Sequence, residues 1–348
     1  MPRRTILILL LIGINVALIC GGYTAIWWIF ANDLKAEVIS WIERRQAEGF
    51  EVAYEKVSIE GYPLEIVLVM TAPQLARAEK DGSWIWNSEE AVLSARPWRL
   101  QQPIILARGH QKLRIWENDT HRSIEISTRR ASAQIHFGTF QQLEEIGIDI
   151  QGFKVQTVSG KDIVDVGRVR IDARRDFRAE MPPPLHIIVR TESIVIPNAV
   201  AGLGNRIDEM QFYSVVDDST ISLGPLTTTL TSWRDQGGIV EVKKFAVQWS
   251  ELNVVADGTL ALDEKMRPIG AGRAEISGYS DVIKGLVAER HINRRDGVAA
   301  ETLLDAFAQL SPHDGRVSLP IRIQDGSFFL GPLRLVQLDP IVSSRFVP

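Results

Sequence analysis

The residue types that carry most protein chemistry are present in this chain, but their spacing indicates no reactive site. The histidines show no short repeat, such as His-x-x-x-His, that would place two imidazoles on one metal ion. Two of them fall inside alternating strand patterns, where a hydrogen-bonded or solvent-facing histidine is the ordinary interpretation. We therefore predict no metal site and no cofactor. The six are His110, His121, His136, His186, His291 and His313.

Acidic pairs are a second class of candidate, because two carboxylates that share a proton can act as acid and base. The pairs here are Glu89-Glu90, Glu144-Glu145 and Asp217-Asp218. Neighbouring residues of a strand point to opposite faces, so we expect these pairs to be solvated surface. Gly-x-Ser-x-Gly, Ser-x-x-Lys and phosphate-binding-loop motifs are also absent from the sequence. The expectation is a protein that is not an enzyme and has no catalytic residues.

The only cysteine, Cys20, lies inside an apolar run, so intramolecular disulfides and thiolate metal clusters are excluded. A lipoprotein site needs a small residue before the cysteine, whereas Ile19 stands there. A domain of this size without disulfides is typical of the bacterial periplasm rather than of eukaryotic secretion.

The composition is that of a globular protein, with 348 residues, 45% hydrophobic and 24% charged. The net charge is −4, and without Arg3 and Arg4, which precede the apolar run, the remainder carries −6. Nucleic-acid phosphates need a concentrated basic face, so nucleic acid is excluded as a partner.

The apolar run itself, residues 6–30, contains no charged side chain. At about 1.5 Å rise per residue, a helix of this length extends about 37 Å, enough to cross a hydrocarbon core of about 30 Å. A cleavable signal peptide has a shorter core and a small-x-small cleavage site, and Tyr23-Thr24-Ala25 fails at its first position. We predict an uncleaved, single-pass transmembrane anchor in contact with membrane lipids.

The flanks of the anchor predict its orientation. Arg3 and Arg4 are expected to stay cytoplasmic, and Tyr23, Trp27 and Trp28 to form the aromatic belt at the exit interface. The bulk of the chain is then periplasmic, and the membrane is the bacterial inner membrane.

A stripe of small residues recurs every four positions within the anchor: Gly13, Ala17, Gly21 and Ala25. This small-xxx-small pattern lets two helix backbones approach closely. It makes a second copy of the chain, or another envelope protein, a possible partner in the membrane.

Residues 31–49 continue as an amphipathic helix, with Leu34, Val38 and Ile42 on one face and Gly49 as its stop. Two roles stay open for this segment. It could lie on the bilayer surface, or it could cap the domain that follows.

From residue 50 the apolar period changes from 3.6 to 2, which predicts antiparallel β-strands. Asp-Gly pairs at Asp81-Gly82, Asp257-Gly258 and Asp325-Gly326 predict hairpin turns. The expected strands contain the alternating sets Leu64/Ile66/Leu68/Met70, Trp84/Trp86, Ile104/Leu106, Leu113/Ile115, Ile124/Ile126, Ala133/Ile135/Phe137, Val169/Ile171, Ile194/Ile196, Phe245/Val247/Trp249 and Val254/Ala256.

Two helical segments interrupt the strands, Ser280–Arg290 and Val298–Leu310, and predict a helical hairpin at about 280–310. The Pro-rich stretch Met181–Pro184 is the candidate boundary between two β-rich segments, although a rigid loop inside one sheet is the alternative. The predicted fold is mainly antiparallel β, as a curved sheet or a sandwich. Its predicted segments are 1–5 (cytoplasmic), 6–30 (anchor), 31–49 (amphipathic helix), 50–181 (first β-rich segment) and 185–348 (second).

Several of these stretches together resemble a bacterial family, domain of unknown function 2125. They are Tyr23–Met70 with its Ile59-Glu60-Gly61-Tyr62-Pro63-Leu64, Ala256–Asp263, Gly278-Tyr279, Leu319-Pro320-Ile321, and Leu330-Gly331-Pro332. The resemblance implies an inner-membrane anchor and a periplasmic domain, and it supplies no activity. The layout also resembles AsmA-type envelope proteins, which implies a curved sheet with an apolar inner face and an association with lipids.

Three hypotheses for the function follow from these observations. The first is a periplasmic β surface that binds or guides lipid-like ligands, or scaffolds envelope assembly. The second is an interaction module that pairs through the transmembrane stripe. The third is a hydrolase without a recognised motif.

Overall fold

The computed structural model describes residues 3–79, 82–117, 123–138, 142–157, 161–175, 177, 183–200, 202–216, 226–290, 293–310, 316–331 and 333–341. Within these ranges the chain forms four helices and twenty strands, and the described strand pairs are antiparallel. The predicted fold class is confirmed: a mainly β chain with a long N-terminal helix and a small helical pair near the C-terminus.

A single helix, α1 (Arg3–Ala47), contains both the apolar run and the amphipathic segment. It ends where the Gly49 N–H donates to the Gln46 carbonyl (3.1 Å) and the Phe50 N–H to the Arg45 carbonyl (3.0 Å). Gly49 has φ +88°, the left-handed conformation that this type of helix end requires and that glycine adopts without strain. The predicted stop at Gly49 is confirmed.

The N-terminal half of α1 is long and apolar enough to cross a membrane. From Leu10 to Gly22 every side chain is exposed in the described chain. These apolar residues have no protein partner within the described ranges, so their own chain does not take them out of water.

The chain divides into two compact units, Met1–Gln141 and Gln142–Pro348. In the first unit, the strands pair as two antiparallel arrays, β1-β4-β5-β8-β9 and β2-β3-β6-β7-β10. The strands are β1 (Glu51–Ala53), β2 (Lys56–Glu60), β3 (Ile66–Thr71), β4 (Gln74–Glu79), β5 (Gly82–Asn87), β6 (Glu90–Arg96), β7 (Arg99–Arg108), β8 (Gln111–Glu117), β9 (Ser123–Thr128) and β10 (Arg130–Phe137).

In the second unit, ten strands form a meander in which each strand pairs with the next along the chain. They are β11 (Leu143–Thr157), β12 (Asp162–Arg175), β13 (Leu185–Val200), β14 (Gly204–Val216), β15 (Val240–Trp249), β16 (Leu252–Leu262), β17 (Pro268–Ser277), β18 (Val317–Gln324), β19 (Ser327–Leu330) and β20 (Leu333–Gln337). The helices of this unit are α2 (Leu226–Asp235), α3 (Tyr279–Ala288) and α4 (Arg294–Leu310).

The proline stretch does not coincide with the division between the units. Pro183 and Pro184 precede β13, whose first residue, Leu185, lies opposite Arg175 at the end of β12. They therefore belong to a connection between neighbouring strands of one sheet, which was the alternative interpretation. Met181 and Pro182 lie outside the described residues.

The three Asp-Gly predictions have different outcomes. Asp325 and Gly326 have φ of +54° and +72° and join β18 to β19 as a two-residue turn, as predicted. Asp257-Gly258 is not a turn, because both residues lie inside β16. Asp81 lies outside the described residues.

The helical pair is longer than its apolar pattern predicts at the start of α4. The Asn293 side-chain oxygen accepts the Asp296 backbone N–H (2.8 Å), and the Asn293 amide donates to the Asp296 carboxylate (2.6 Å). This N-cap begins the helix at Arg294 rather than at Val298.

Candidate functional site

One face of the second unit's sheet is apolar from strand to strand. Successive residues of the row below lie directly opposite one another in the strand register, so their side chains share a face. The row from β11 to β18 consists of Ile148, Ile171, Val189, Phe212, Phe245, Ala256, Ala274 and Leu319. A row on the other face consists of Gln151, Arg168, Glu192, Glu209, Gln248, Asn253 and Ser277.

The apolar face forms a partly open groove of about 350 Å³ on strands β14 to β19. Its large side chains are Phe212, Val242, Phe245, Val254, Leu260, Ile276, Ile321, Ile323, Phe328 and Leu330. All the lining residues come from strands. A flat sheet encloses no volume, so the sheet itself bends around this space. Most of these side chains are only half-buried, and they leave apolar surface open to an occupant.

The polar residues among the lining do not change this character. Asp257 and Thr259 lie opposite Arg273 and Ala271, in register with the other face of the sheet. Their side chains therefore point away from the groove, which they line through their backbone. The groove offers an apolar molecule contact area and little hydrogen bonding.

Glycines at the centre of the groove allow the close approach of β16 and β17. Gly258 lies directly opposite Gly272. A Cβ at Gly272 would lie 2.1 Å from the Asp257 carbonyl oxygen, and one at Gly258 would lie 2.4 Å from the Ala271 carbonyl oxygen. Glycine is needed here for the space that it leaves, which explains why the predicted Asp257-Gly258 turn is wrong.

One end of the apolar face is closed by α2. The Trp233 side chain is 6% exposed and packs with Val216, Leu262 and Met266. The helix ends at Asp235, and the N–H of Gly237 beyond it donates to the Arg234 carbonyl over 2.9 Å. Thus α2 covers part of the apolar face, while strands alone line the groove.

The β16–β17 turn beside this core is held by one carboxylate. Asp263 accepts the backbone N–H groups of Lys265 and Arg267 (both 2.8 Å) and pairs with the Arg267 guanidinium (2.7 Å). Partial burial alone would raise the pKa of Asp263, but the hydrogen bonds from Arg267 and Lys265 outweigh it and hold the pKa below its ordinary value. This turn also positions Met266, which is 5% exposed and packs in the core around Trp233.

The polar face carries ordinary ion pairs. Arg168 of β12 forms a two-point pair with Asp149 of β11, and this hydrogen bonding raises the arginine pKa. Such cross-strand pairs fix register on a solvated surface and indicate no chemistry.

A second feature, in the first unit, joins α1 to the β-strands. The Tyr23 hydroxyl donates to the Pro63 carbonyl (2.5 Å), and the Trp27 indole N–H donates to the Glu65 carbonyl (3.1 Å). The Trp27 ring also meets the Tyr62 ring edge-to-face at 5.3 Å. Together with Ile66, which is fully buried, these residues fasten the β2–β3 connection to α1.

The three aromatic residues that were predicted to form the interface belt therefore differ in burial. Trp27 is 3% exposed and packs inside the protein, so its own chain, rather than lipid, surrounds it. Trp28 is 54% exposed and stays available to a bilayer interface. Tyr23 is half-buried, with its hydroxyl on the β2–β3 connection. Of Arg3 and Arg4 the structure describes the helical backbone alone.

The small-residue stripe is exposed along its whole length. Gly13, Ala17, Gly21 and Ala25 are all exposed, and a Cβ added at Gly13 or Gly21 would meet nothing within 4 Å. Ala25 lies two residues from Trp27, about 200° around the helix. The four residues thus stay exposed beside the contact with Tyr62 and Pro63, and the pairing role of the stripe stays a prediction.

The described histidines lie apart in ordinary surroundings. His186 contacts the Tyr213 hydroxyl at 3.1 Å. His110 contacts the Glu89 carboxylate at 3.2 Å, and the hydrogen bonds from its backbone and ring hold the pKa of Glu89 below its usual range. Among the described residues no group of three His, Cys, Asp or Glu side chains is placed to hold a metal ion. His121, His291 and His313 lie outside the described ranges.

Reasoning from the sequence missed the groove as a located site. It also missed α2, because Thr227, Thr228 and Thr229 give that segment a poor helix pattern. The spacing of Gly258, Gly270 and Gly272 within strand patterns was a usable signal, since glycine inside a strand marks close backbone approach.

Comparison with known proteins gives one match. No curated protein and no solved structure matches the chain, so the likeness to AsmA-type proteins stays a prediction. A family model covers residues 27–339, most of the chain. This chain therefore belongs to the bacterial family described as "Uncharacterized protein conserved in bacteria (DUF2125)".

Proposed function

We propose that this chain is a membrane-anchored protein that binds or guides a lipid-like molecule in the groove of its second unit. The groove of about 350 Å³ with apolar side chains is the observation that carries the proposal. Its volume is in the range of small-ligand sites, and burying apolar surface contributes about 25 cal/mol per Å². An acyl chain is the class of ligand that suits a groove with so few polar partners.

The role that we propose is binding, without a chemical step. The apolar side chains of the groove offer no acid, base or nucleophile, and no described histidine is among the residues that line it. A hydrolase would need convergent polar groups beside the bound substrate.

The compartment is part of the proposal. We place α1 across the bacterial inner membrane, with the N-terminus cytoplasmic and both β-rich units periplasmic, because Arg3 and Arg4 precede the apolar run. A Cys20→Ser, Lys244→Cys variant tests it, since Lys244 is exposed on β15. An impermeant maleimide should label this cysteine in cells with a permeabilised outer membrane. Labelling that appears only after lysis would place the unit in the cytoplasm.

Photo-crosslinking tests the ligand. A benzophenone amino acid replaces Phe245 or Ile321 inside the groove in one set of cells, and Gln248 on the opposite face in a control set. We expect lipid adducts, identified by mass spectrometry, from the two groove positions. Equal adduct yields at Gln248, or none at the groove positions, would reject lipid binding at this site.

A groove-filling variant sharpens the same test. Val254 is half-buried in the lining, so Val254→Trp should occupy the open space and lower the adduct yield from Ile321. Val255→Trp, one residue away and on the other face, is the matched control and should leave the yield unchanged.

Association through α1 is a second proposal, which the exposed stripe favours. Gly13→Leu, Ala17→Leu and Gly21→Leu together should abolish self-association measured in membranes, because leucine keeps helix backbones apart. Unchanged association would reject the stripe as the contact, and absence of association in the wild type would reject pairing itself.

A further inference from the structure

The end of the first unit's strands that touches α1 exposes large apolar side chains. The turn before β3 exposes Tyr62 (52%) and Leu64 (66%), and the hairpin between β6 and β7 exposes Trp98 (58%). Three large apolar side chains are thus exposed on short connections rather than on strands. Exposed aromatic and aliphatic residues gathered at one place mark an interaction surface.

The strand register places these connections side by side. Ile66, the first residue of β3, lies directly opposite Ala95, and Arg96 lies opposite Arg99 to close the hairpin that carries Trp98. Leu64 and Trp98 therefore extend beyond the same end of the same array. The Arg96 guanidinium also lies 3.6 Å from the Glu65 carboxylate, which ties the hairpin to the residue whose carbonyl accepts the Trp27 indole.

The level of these residues along α1 follows from its length. From Ile6 to Gly22, before the first contact with the β-strands, the helix rises about 26 Å at 1.5 Å per residue. A hydrocarbon core of about 30 Å that begins at Ile6 therefore ends near Ile26, between Tyr23 and Trp27. Because Tyr23 binds Pro63 and Trp27 binds Glu65 on either side of that boundary, this placement puts the Tyr62–Leu64 connection and the adjoining Trp98 hairpin where the hydrocarbon core meets the lipid headgroups.

A small pocket that contains charged and polar side chains lies at the base of this hairpin. It measures about 170 Å³, and Arg96, Arg99, Ser94, Gln102 and Glu65 are among its lining residues. Among the described residues Arg99 has no carboxylate partner within ion-pair distance, whereas Arg96 is half-paired with Glu65. The two guanidinium groups outnumber the single Glu65 carboxylate, so the pocket carries a net positive charge and has amide and hydroxyl donors that suit a phosphate oxygen.

We infer that the first unit docks on the bilayer through this end, with Trp98 and Leu64 among the headgroups and a lipid phosphate between Arg96 and Arg99. Tryptophan is favoured at membrane interfaces because its ring is apolar and its N–H is polar. Arginine at the same level adds attraction to anionic lipid. The inference rests on the proposed membrane anchoring, and it gives the first unit a fixed position on the bilayer.

An environment-sensitive label on the full chain tests the docking. In a Cys20→Ser background, Trp98→Cys carries the fluorophore NBD, and the chain is reconstituted in vesicles of phosphatidylcholine with or without phosphatidylglycerol. Arg129→Cys is the matched control, because it lies at the other end of β7, near the Ala131–Ala107 pair. We expect blue-shifted emission and quenching by brominated lipid at position 98, and neither at position 129.

Flotation of the same samples tests the membrane anchor separately from the docking of the first unit. If the chain floats with vesicles but the label at position 98 matches the label at position 129, the docking is wrong and the anchor stands. If the chain does not float with the vesicles, both the anchor and the docking are rejected.

The arginines are tested by Arg96→Gln with Arg99→Gln in the labelled chain. The blue shift at position 98 should then lose its dependence on phosphatidylglycerol, whereas Arg108→Gln, at the far end of β7, should retain it. If the blue shift of the double variant still depends on phosphatidylglycerol, the phosphate site is wrong. If the double variant shows the blue shift equally with and without phosphatidylglycerol, the insertion of the hairpin is supported.

Discussion

Trp27 of α1 donates a hydrogen bond from its indole nitrogen to the carbonyl oxygen of Glu65 over 3.1 Å. This contact joins the helix that is apolar enough to cross a membrane to the first strand-rich unit, at the residue where β3 is about to begin. The first unit is therefore fastened to α1 itself and is not carried on a flexible linker.

Replacement of Trp27 should loosen this junction. The side chain is 3% exposed and packs against Ala31 and Ile66, so Trp27→Ala leaves a cavity and an unpaired carbonyl. We expect a loss of about 3–5 kcal/mol in the free energy of unfolding, measured by denaturant titration of the full chain in detergent.

Trp28 provides the control for that change. It is the neighbouring tryptophan, and 54% of its surface is exposed although its ring meets the Trp27 ring edge-to-face at 6.0 Å, so Trp28→Ala should lower the free energy of unfolding by only about 1 kcal/mol. Equal losses for the two variants would mean that the junction does not depend on the Trp27 contact.

The glycine pair beneath the groove predicts a second effect. In Gly272→Ala the new Cβ would lie 2.1 Å from the Asp257 carbonyl oxygen, and β16 and β17 would have to separate. Overpacking of this kind costs about 1–3 kcal/mol, and the melting temperature should fall accordingly.

Gly147 is the matched position for this comparison. It lies in β11 of the same unit, and its Cβ would meet only the Asp172 carboxylate oxygen at 3.5 Å, an ordinary contact. Gly147→Ala should be neutral or slightly stabilising, because alanine reduces the entropy of the unfolded chain. If both variants lost the same stability, close strand approach would not be the reason for glycine at position 272.

The predictions from sequence succeeded where a feature depends on residues close together in the chain, and failed where it depends on residues far apart in the chain. Strand periodicity, the Gly49 helix stop and the Asp325-Gly326 turn depend on neighbours in the chain, and all three were predictable. Asp257-Gly258 has the same local signature as a turn, but Gly272, on the partner strand, decides its role. No local pattern contains that information.

The groove and α2 were not predicted for the same reason: both depend on contacts between residues that are distant in sequence. The threonines of α2 disfavour a helix in isolation, and Trp233 offsets this by packing on Val216 and Leu262, which are distant in sequence. The burial of Trp27 was equally hidden, since an aromatic residue at the end of an apolar run is typical of a membrane interface. Its partner, Glu65, lies in the β2–β3 connection, 38 residues further along the chain.

The Asp263 carboxylate predicts a pH dependence. Its pKa is lowered in the folded state, so its stabilisation is fully present above the unfolded value of about 3.9 and is lost as the pH falls below that value. Asp263→Ala should cost about 2 kcal/mol near neutral pH, where two backbone N–H groups and Arg267 lose a charged acceptor.

Unfolding measured across this pH range checks the assignment. The stability difference between wild type and Asp263→Ala should shrink as the pH falls from about 4 toward the lowered folded value. A difference that stayed constant over that range would show that the charge of Asp263 does not contribute. Asp257→Ala, at an exposed carboxylate in the adjoining strand, is the control and should show little difference at any pH.

Tyr279 predicts the opposite dependence at high pH. Its hydroxyl donates to the Asp305 carboxylate over 2.7 Å and so joins α3 to α4. Partial burial and the neighbouring carboxylates of Asp305 and Glu301 raise its pKa to about 12. A raised pKa means that the stabilisation is complete below the unfolded value of about 10 and is lost as the pH rises toward the folded value. Tyr279→Phe should lower stability by about 1 kcal/mol at neutral pH.

Ultraviolet titration of tyrosinate resolves this group, because the difference between wild type and Tyr279→Phe isolates one of the five tyrosines. The difference titration should have its midpoint near 12 in the folded protein and near about 10 after unfolding in urea. Asp305→Asn removes the nearer carboxylate and should move the folded midpoint downward while the α3–α4 hydrogen bond persists through the amide oxygen. A midpoint near the ordinary value in the folded wild type would mean that the hydroxyl is solvated and that this bond does not hold the two helices together.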